Sequence, residues 1–316
     1  MEVLNLSIWV WIAFYASVII MLLIDLKSFG EEHEVKIAEA LKMTGIWIAV
    51  SLLFCIGIYL WYPVNPEEKS MEFLAGYLIE KSLSMDNLFV FLMLFSLFNV
   101  QRKYQHEVLF WGIFGALILR SIFIFAGTAI IQQFEWVLIL FGIFLIYTGL
   151  KMFGHNDEEE TVDVSKNIFV KIFKKFSPVT DKMYDDKFFI IENGKRFATP
   201  LFICLIVVET TDVAFAVDSI PAVFSVSRDP FIVLTSNIFA ILGLRAMYFA
   251  LAAVAKYFTY LKYGLGIILS FVGIKMLLDT IWDIEVSTFL SLCIIFGLLL
   301  LSIVASMVIK KRTTEV

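Results

Sequence analysis

The sequence predicts an all-α, polytopic membrane protein of about nine transmembrane helices, built around two inverted three-helix repeats. Three observations predict it. Apolar runs long enough to cross hydrocarbon recur along the whole chain, Lys and Arg fall on alternate connections, and a set of landmarks repeats about 125–130 residues apart. Composition sets the solvent. Of 316 residues, 60% are hydrophobic and 17% charged, with 32 Phe; mean hydropathy is +0.87. Soluble chains carry roughly 45–50% apolar and about 25% charged residues. A water-soluble fold has no place to hide this much apolar surface.

The candidate spans are 6–24, 46–62, 72–98, 108–131, 136–153, 200–224, 231–254, 264–281 and 288–309. Each approaches the length of about 20 residues that a helix needs to cross a bilayer. Helices are expected because lipid offers backbone groups no partner. Met1-Glu2-Val3-Leu4-Asn5 has no basic leader, so the first run reads as a span and not as a cleaved signal. Cys55, Cys204 and Cys293 lie far apart in apolar stretches and form no CxxC pair, so each is expected to be apolar filler. The net charge of −5 argues against nucleic acid as a partner.

Basic residues set the orientation. Lys27, Lys36 and Lys42 follow span 1, Arg102 and Lys103 follow span 3, and Lys151 to Arg196 dominate the connection after span 5. Lys256 and Lys262 follow span 7, and Lys310, Lys311 and Arg312 close the chain. The opposite side has Lys69, Arg228 and, at its edge, Lys275. The positive-inside rule then places the N-terminus outside and the C-terminus in the cytoplasm of a multi-pass cell-membrane protein. The long connection 154–199 is expected to be cytoplasmic. It opens on the acidic run His155–Glu160, read as a solvated stretch. Within 166–176, Phe169, Ile172, Phe173 and Phe176 share a helical face opposite lysines. That face suits either the anionic inner leaflet or packing on the rest of the protein. Residues 188–197 read as a β-hairpin with an Asn-Gly turn.

Glu80-Lys81-Ser82-Leu83-Ser84-Met85-Asp86-Asn87-Leu88 matches Asp212-Val213-Ala214-Phe215-Ala216-Val217-Asp218-Ser219-Ile220, with acids at the first and seventh places. Leu119-Arg120-Ser121 then matches Leu244-Arg245-Ala246, and Gly149-Leu150-Lys151-Met152 matches Gly273-Ile274-Lys275-Met276. The units are 72–153 and 200–281, within one transmembrane domain. Three crossings per unit force the second copy upside down, a build common in secondary transporters whose sites lie near the midplane. Spans 1, 2 and 9 are expected to be peripheral.

Seven charges fall mid-span: Glu80, Asp86, Glu209, Asp212, Asp218, Arg120 and Arg245. Each costs about 2.5–3.5 kcal/mol at the bilayer centre, so they must be paired, hydrated or metal-bound. If Arg120 and Arg245 each neutralise one acid, three acids remain over. Glu209 and Asp212 share a helical face. Glu80 and Asp86 lie about 120° apart on an unbroken helix, so they act at different depths or the helix opens between them. Asn87, and Ser219 followed by Pro221, favour opening; Ser84, Asn87, Ser219 and freed carbonyls would then add oxygen ligands. An all-oxygen donor set favours Mn²⁺, Ca²⁺ or Mg²⁺. His33, His106 and His155 lie away from the cluster.

These strings resemble the TerC family of integral membrane proteins and its Alx-like members, in the lysine-exporter-like superfamily. The resemblance is carried by residues 80–91, by Glu209-Thr210-Thr211-Asp212 through Asp218-Ser219-Ile220-Pro221-Ala222, and by 229–233 and 235–245. It implies a role in metal homeostasis, with links to tellurium resistance and manganese efflux, and metal ligands at Glu80, Asp86, Glu209, Asp212 and Asp218. The leading expectation is a secondary transporter exporting Mn²⁺, coupled to protons, with the bilayer and a divalent ion as partners and no bound cofactor. The alternative is a non-transporting scaffold that delivers metal to membrane or secreted proteins, docking through 166–176. No GxxxxGK[ST], HExxH or GxSxG string occurs, so neither a nucleotide-driven pump nor an enzyme is expected.

Overall fold

The computed structural model describes residues 6–28, 37–134, 136–154, 167–180, 184, 187–192, 194–254, 261–284 and 286–313. The helices are α1 (Ile8–Ser28), α2 (Ile37–Trp61), α3 (Pro66–Leu97), α4 (Arg102–Gln133), α5 (Val137–Gly154) and α6 (Ile168–Phe176). After the hairpin β1 (Phe189–Glu192) and β2 (Lys195–Ala198) come α7 (Pro200–Phe224), α8 (Pro230–Ile241), α9 (Leu244–Val254), α10 (Leu261–Trp282) and α11 (Thr288–Thr313). The chain is an all-α, multi-pass membrane protein.

The predicted runs fall on helices, but not all as simple crossings. Among the described residues, α1, α2, α4, α7, α10 and α11 are each long and apolar enough to span a bilayer. The run at 136–153 falls on the shorter α5. The run at 72–98 falls on α3, which is 32 residues long and carries charge from Glu67 onward. The run at 231–254 is two helices, α8 and α9, bent by 41° at Leu242–Gly243. Gly243 makes the break with φ +81°, a conformation that a Cβ would oppose. This corrects the expectation that span 3 or span 6 opens. Both α3 and α7 run unbroken through their acids. Pro221 stands in the last turn of α7 without breaking it.

Local chemistry sets the ends. Pro66, Pro200 and Pro230 each stand at the start of a helix, where a missing N–H leaves no helical bond unmade. The Asp229 carboxylate accepts from the N–H groups of Phe231 (2.9 Å) and Ile232 (3.4 Å) and so caps α8.

Every residue of α8 from Phe231 to Ile241 is buried. A helix buried on all sides belongs at the centre of a bundle, and α8 packs there on α3 and α4. The expectation that spans 1, 2 and 9 are peripheral is borne out. Only 28%, 17% and 17% of the spanning windows of α1, α2 and α11 are buried, against 44% for α4 and 50% for α10. Their apolar side chains, such as Trp9, Leu53 and Leu301, face outward.

Helices α5 and α10 pack most intimately. A Cβ on Gly149 would stand 2.6 Å from the Gly266 carbonyl oxygen, and one on Gly273 2.6 Å from that of Gly142. The earlier residue of one helix meets the later residue of the other, so the pair runs antiparallel. Absent side chains bring the backbones together, as at small-residue crossings in membranes.

Beside this bundle, α6 begins at Asn167, whose side chain accepts from the Val170 N–H at 3.1 Å. It packs on α7 through buried Val170 and through Phe173, 5.1 Å from the ring of Phe202. Phe169 and Ile172 remain exposed. The face expected to act as one is therefore divided: Phe173 packs on the protein and Phe169 and Ile172 point away. The hairpin forms as expected, pairing Phe189 with Ala198 and Glu192 with Lys195, with Gly194 at φ +73°. The acidic run His155–Glu160 lies outside the described residues.

Candidate functional site

Arg120, fully buried on α4, is the centre of the site. Its Nη2 donates to Asp212 Oδ1 at 3.0 Å and its Nε to Asp212 Oδ2 at 3.3 Å. Its Nη1 donates to Glu80 Oε1 and, at 3.4 Å, to Asn237 Oδ1. Asn237 Nδ2 in turn donates to Glu80 Oε2 at 3.0 Å. Four helices, α3, α4, α7 and α8, thus meet in one closed network. The planar guanidinium suits this, because it offers two parallel N–H groups to one carboxylate and a third to another.

Glu209 lies one turn before Asp212. Its carboxylate occupies the space left by Gly115 on α4, which a Cβ would fill. Its Oε2 is buried and has no hydrogen-bond partner among the described residues, and the same holds for Ser84 Oγ on α3 and Ser219 Oγ on α7. Asn87 is buried on α3. The side chains of Asp86 and Asp218 lie outside the described residues; their backbones sit on α3 and α7 six residues beyond Glu80 and Asp212. Among the described residues no three His, Cys, Asp or Glu gather as a metal cluster.

The two arginines differ from expectation. Arg120 takes two acids, not one. Arg245 meets an acid outside those five: its Nη1 lies 3.5 Å from Asp25 Oδ2 on α1. Asp25 also accepts from Trp47 Nε1 on α2 at 3.1 Å. Asp25 escaped the sequence reading because it stands where span 1 meets a basic connection, and Asn237 because it is one neutral polar residue in an apolar run.

A third polar region lies where α3 begins and α7 ends. A cavity of about 740 Å³ is lined there by Glu68, Glu72, Arg228, Asp229, Lys275 and Asp279, among others. Lys69 binds both oxygens of Glu72 at 2.8–2.9 Å, and Ser227 donates to the same carboxylate. Tyr62 donates to Asp229 at 2.6 Å.

Fold and site together define a multi-pass helical membrane protein with ion pairs closed inside its bundle. The chain belongs to the integral membrane protein TerC family, whose model matches residues 65–314. It is 47% identical over 303 residues to an uncharacterized membrane protein of Myxococcus xanthus, covering 96% of this chain and 92% of that one. It is 46% identical over 311 residues to a protein of Escherichia coli strain K12 named as the membrane-bound redox modulator Alx, covering 96% and 95%. An uncharacterized membrane protein of Rickettsia bellii is 40% identical over 306 residues, covering 96% and 99%. No solved structure matches the chain.

Proposed function

We propose that this chain is a secondary transporter that exports a divalent metal, Mn²⁺ first among candidates, in exchange for protons. The observation that carries this reading is Glu209. Its buried carboxylate oxygen Oε2 has no hydrogen-bond partner among the described residues, and an uncompensated charge in such a place is costly unless a cation or proton joins it. Arg120 already pairs with Glu80 and Asp212, one positive charge against two negative ones, and Asp86, Glu209 and Asp218 add to that surplus. Glu80, Asp86, Asn87, Glu209, Asp212 and Asp218 are the oxygen set from which the ion would be bound. Glu80 and Asp212 serve through their shared arginine, which the ion would displace in part.

The reciprocal glycine contacts of α5 and α10 support an inverted repeat of 72–153 and 200–281. Under the orientation given by the basic residues, the cavity at Glu72 and Asp229 is the outer mouth. Flux of Mn²⁺, Ca²⁺ and Mg²⁺ into proteoliposomes, with internal pH followed, tests the reading. Asp86→Ala and Asp218→Ala should each abolish Mn²⁺ movement; full flux in both variants would refute the assignment. A second reading, a metal-delivering scaffold, draws support from exposed Phe169, Ile172 and Ile191 beside lysines. Deleting 154–199 separates the two, since a transporter keeps its flux and a scaffold loses its effect while still binding metal.

A further inference from the structure

We propose that the ammonium of Lys81 occupies a monovalent-cation site, built by the broken span α8–α9, that would otherwise take Na⁺, K⁺ or a small alkylammonium.

The last carbonyls of any helix lack partners within it. Those of α8 end inside the bundle, because Leu242 leaves helical geometry at ψ 131° and Gly243 turns the chain at φ +81°. They carry the negative end of the α8 dipole, and Ala240, Ile241 and Leu242 are all almost fully buried. Such half-helix ends are where interrupted membrane helices coordinate cations. Here the position is taken. Lys81 Nζ, reaching across from α3, lies 3.1 Å from the Ala240 carbonyl oxygen and 3.5 Å from that of Leu242. The ring of Tyr77 completes the cage, its centroid 5.9 Å from the ammonium. Two carbonyl oxygens and an aromatic face are ligands for a monovalent cation, and Lys81 makes no ion pair with an acid among the described residues. Trp47 packs against Gly243 from the other side, where a Cβ would meet its ring at 2.7 Å, so the break is held open as a fixed feature.

The consequence is that the protein carries its own counter-cation and needs no Na⁺ or K⁺ for integrity. The inference stands apart from metal export, and its test reads stability and not flux. The full-length protein is purified in detergent and its thermal unfolding followed in choline chloride, NaCl, KCl and methylammonium chloride at matched ionic strength. Wild type and Lys81→Arg should unfold at the same temperature in all four. Lys81→Ala should unfold lower in choline and recover by several degrees, saturably, with Na⁺, K⁺ or methylammonium. Lys81→Met, which fills the space without charge, should stay low in every salt. Equal midpoints for Lys81→Ala in all four salts, or a Lys81→Met protein as stable in choline as wild type, would overturn the proposal. If Lys81→Ala does not survive purification in choline, recovery of monodisperse protein in one of the other salts supports the site, and equal loss in all four overturns it.

Discussion

Arg120 on α4 holds Asp212 on α7 through both carboxylate oxygens, at 3.0 and 3.3 Å, while the same guanidinium reaches Glu80 on α3. One cation therefore joins the equivalent first acids of the two repeated strings. Neither acid is exposed enough to be neutralised by water, so the three charges stand or fall together.

The first prediction follows from that closure. Arg120→Ala leaves two carboxylates buried without their partner and should cost about 3–5 kcal/mol. Arg120→Lys should recover only part, because an ammonium cannot present two parallel N–H groups to Asp212. Adding Glu80→Gln and Asp212→Asn to Arg120→Ala should restore stability relative to the single variant. Thermal unfolding in detergent, compared across the series, checks the order; an unaltered midpoint for Arg120→Ala would contradict the network.

A second prediction isolates Glu209 from that network. Glu209 Oε2 has no hydrogen-bond partner among the described residues and its charge there is costly, so Glu209→Gln should hold or raise the unfolding temperature. On the transport reading it should lower Mn²⁺ flux at least tenfold. Gly115→Ala places a methyl where the Glu209 carboxylate rests. It should reduce flux severalfold in the same assay while the flexible end of Glu209 shifts aside. Flux equal to wild type in both variants would remove Glu209 from the path.

These residues also show what the sequence could and could not disclose. Arg120, Glu80 and Asp212 were legible because charge inside an apolar run is costly and so must have a reason. Asn237 was not, since a single amide in hydrocarbon carries no such signal. Asp25, 3.5 Å from Arg245, was not legible because it sits at the edge of span 1, where an acid looks solvated. The break in span 7 was missed for a different reason: Leu242-Gly243 lies within an unbroken apolar stretch, and hydropathy is blind to a change of φ at one glycine. Conversely, Pro221 and the 120° between Glu80 and Asp86 pointed to broken helices. The bundle instead accommodates Pro221 near a helix end and leaves α3 intact.

The third prediction concerns that break. A Cβ at Gly243 both opposes the positive φ and strikes Trp47. Left-handed backbone alone costs a non-glycine residue about 1–2 kcal/mol. Gly243→Val should therefore lower the unfolding temperature more than Gly297→Val on peripheral α11, where a Cβ meets nothing within 4 Å. If the two variants unfold alike, the bend at Leu242–Gly243 is not a rigid part of the fold.

The fourth prediction tests the symmetric seam. In the proposed inverted repeat Gly149 and Gly273 hold equivalent places, and each presses its bare Cα on the partner backbone, Gly149 on Gly266 and Gly273 on Gly142. On that reading a two-fold axis relates α5 and α10, and equivalent insults should have equivalent effects. Gly149→Leu and Gly273→Leu should each push the helices apart and cost about 1–3 kcal/mol, as overpacking does. The double variant should cost less than the sum, because the first side chain has already separated the surface that the second one strikes. Additive losses, or a large loss at one glycine and none at the other, would mean that the two contacts are independent and that the pairing of α5 with α10 is not a symmetric hinge line between the repeats.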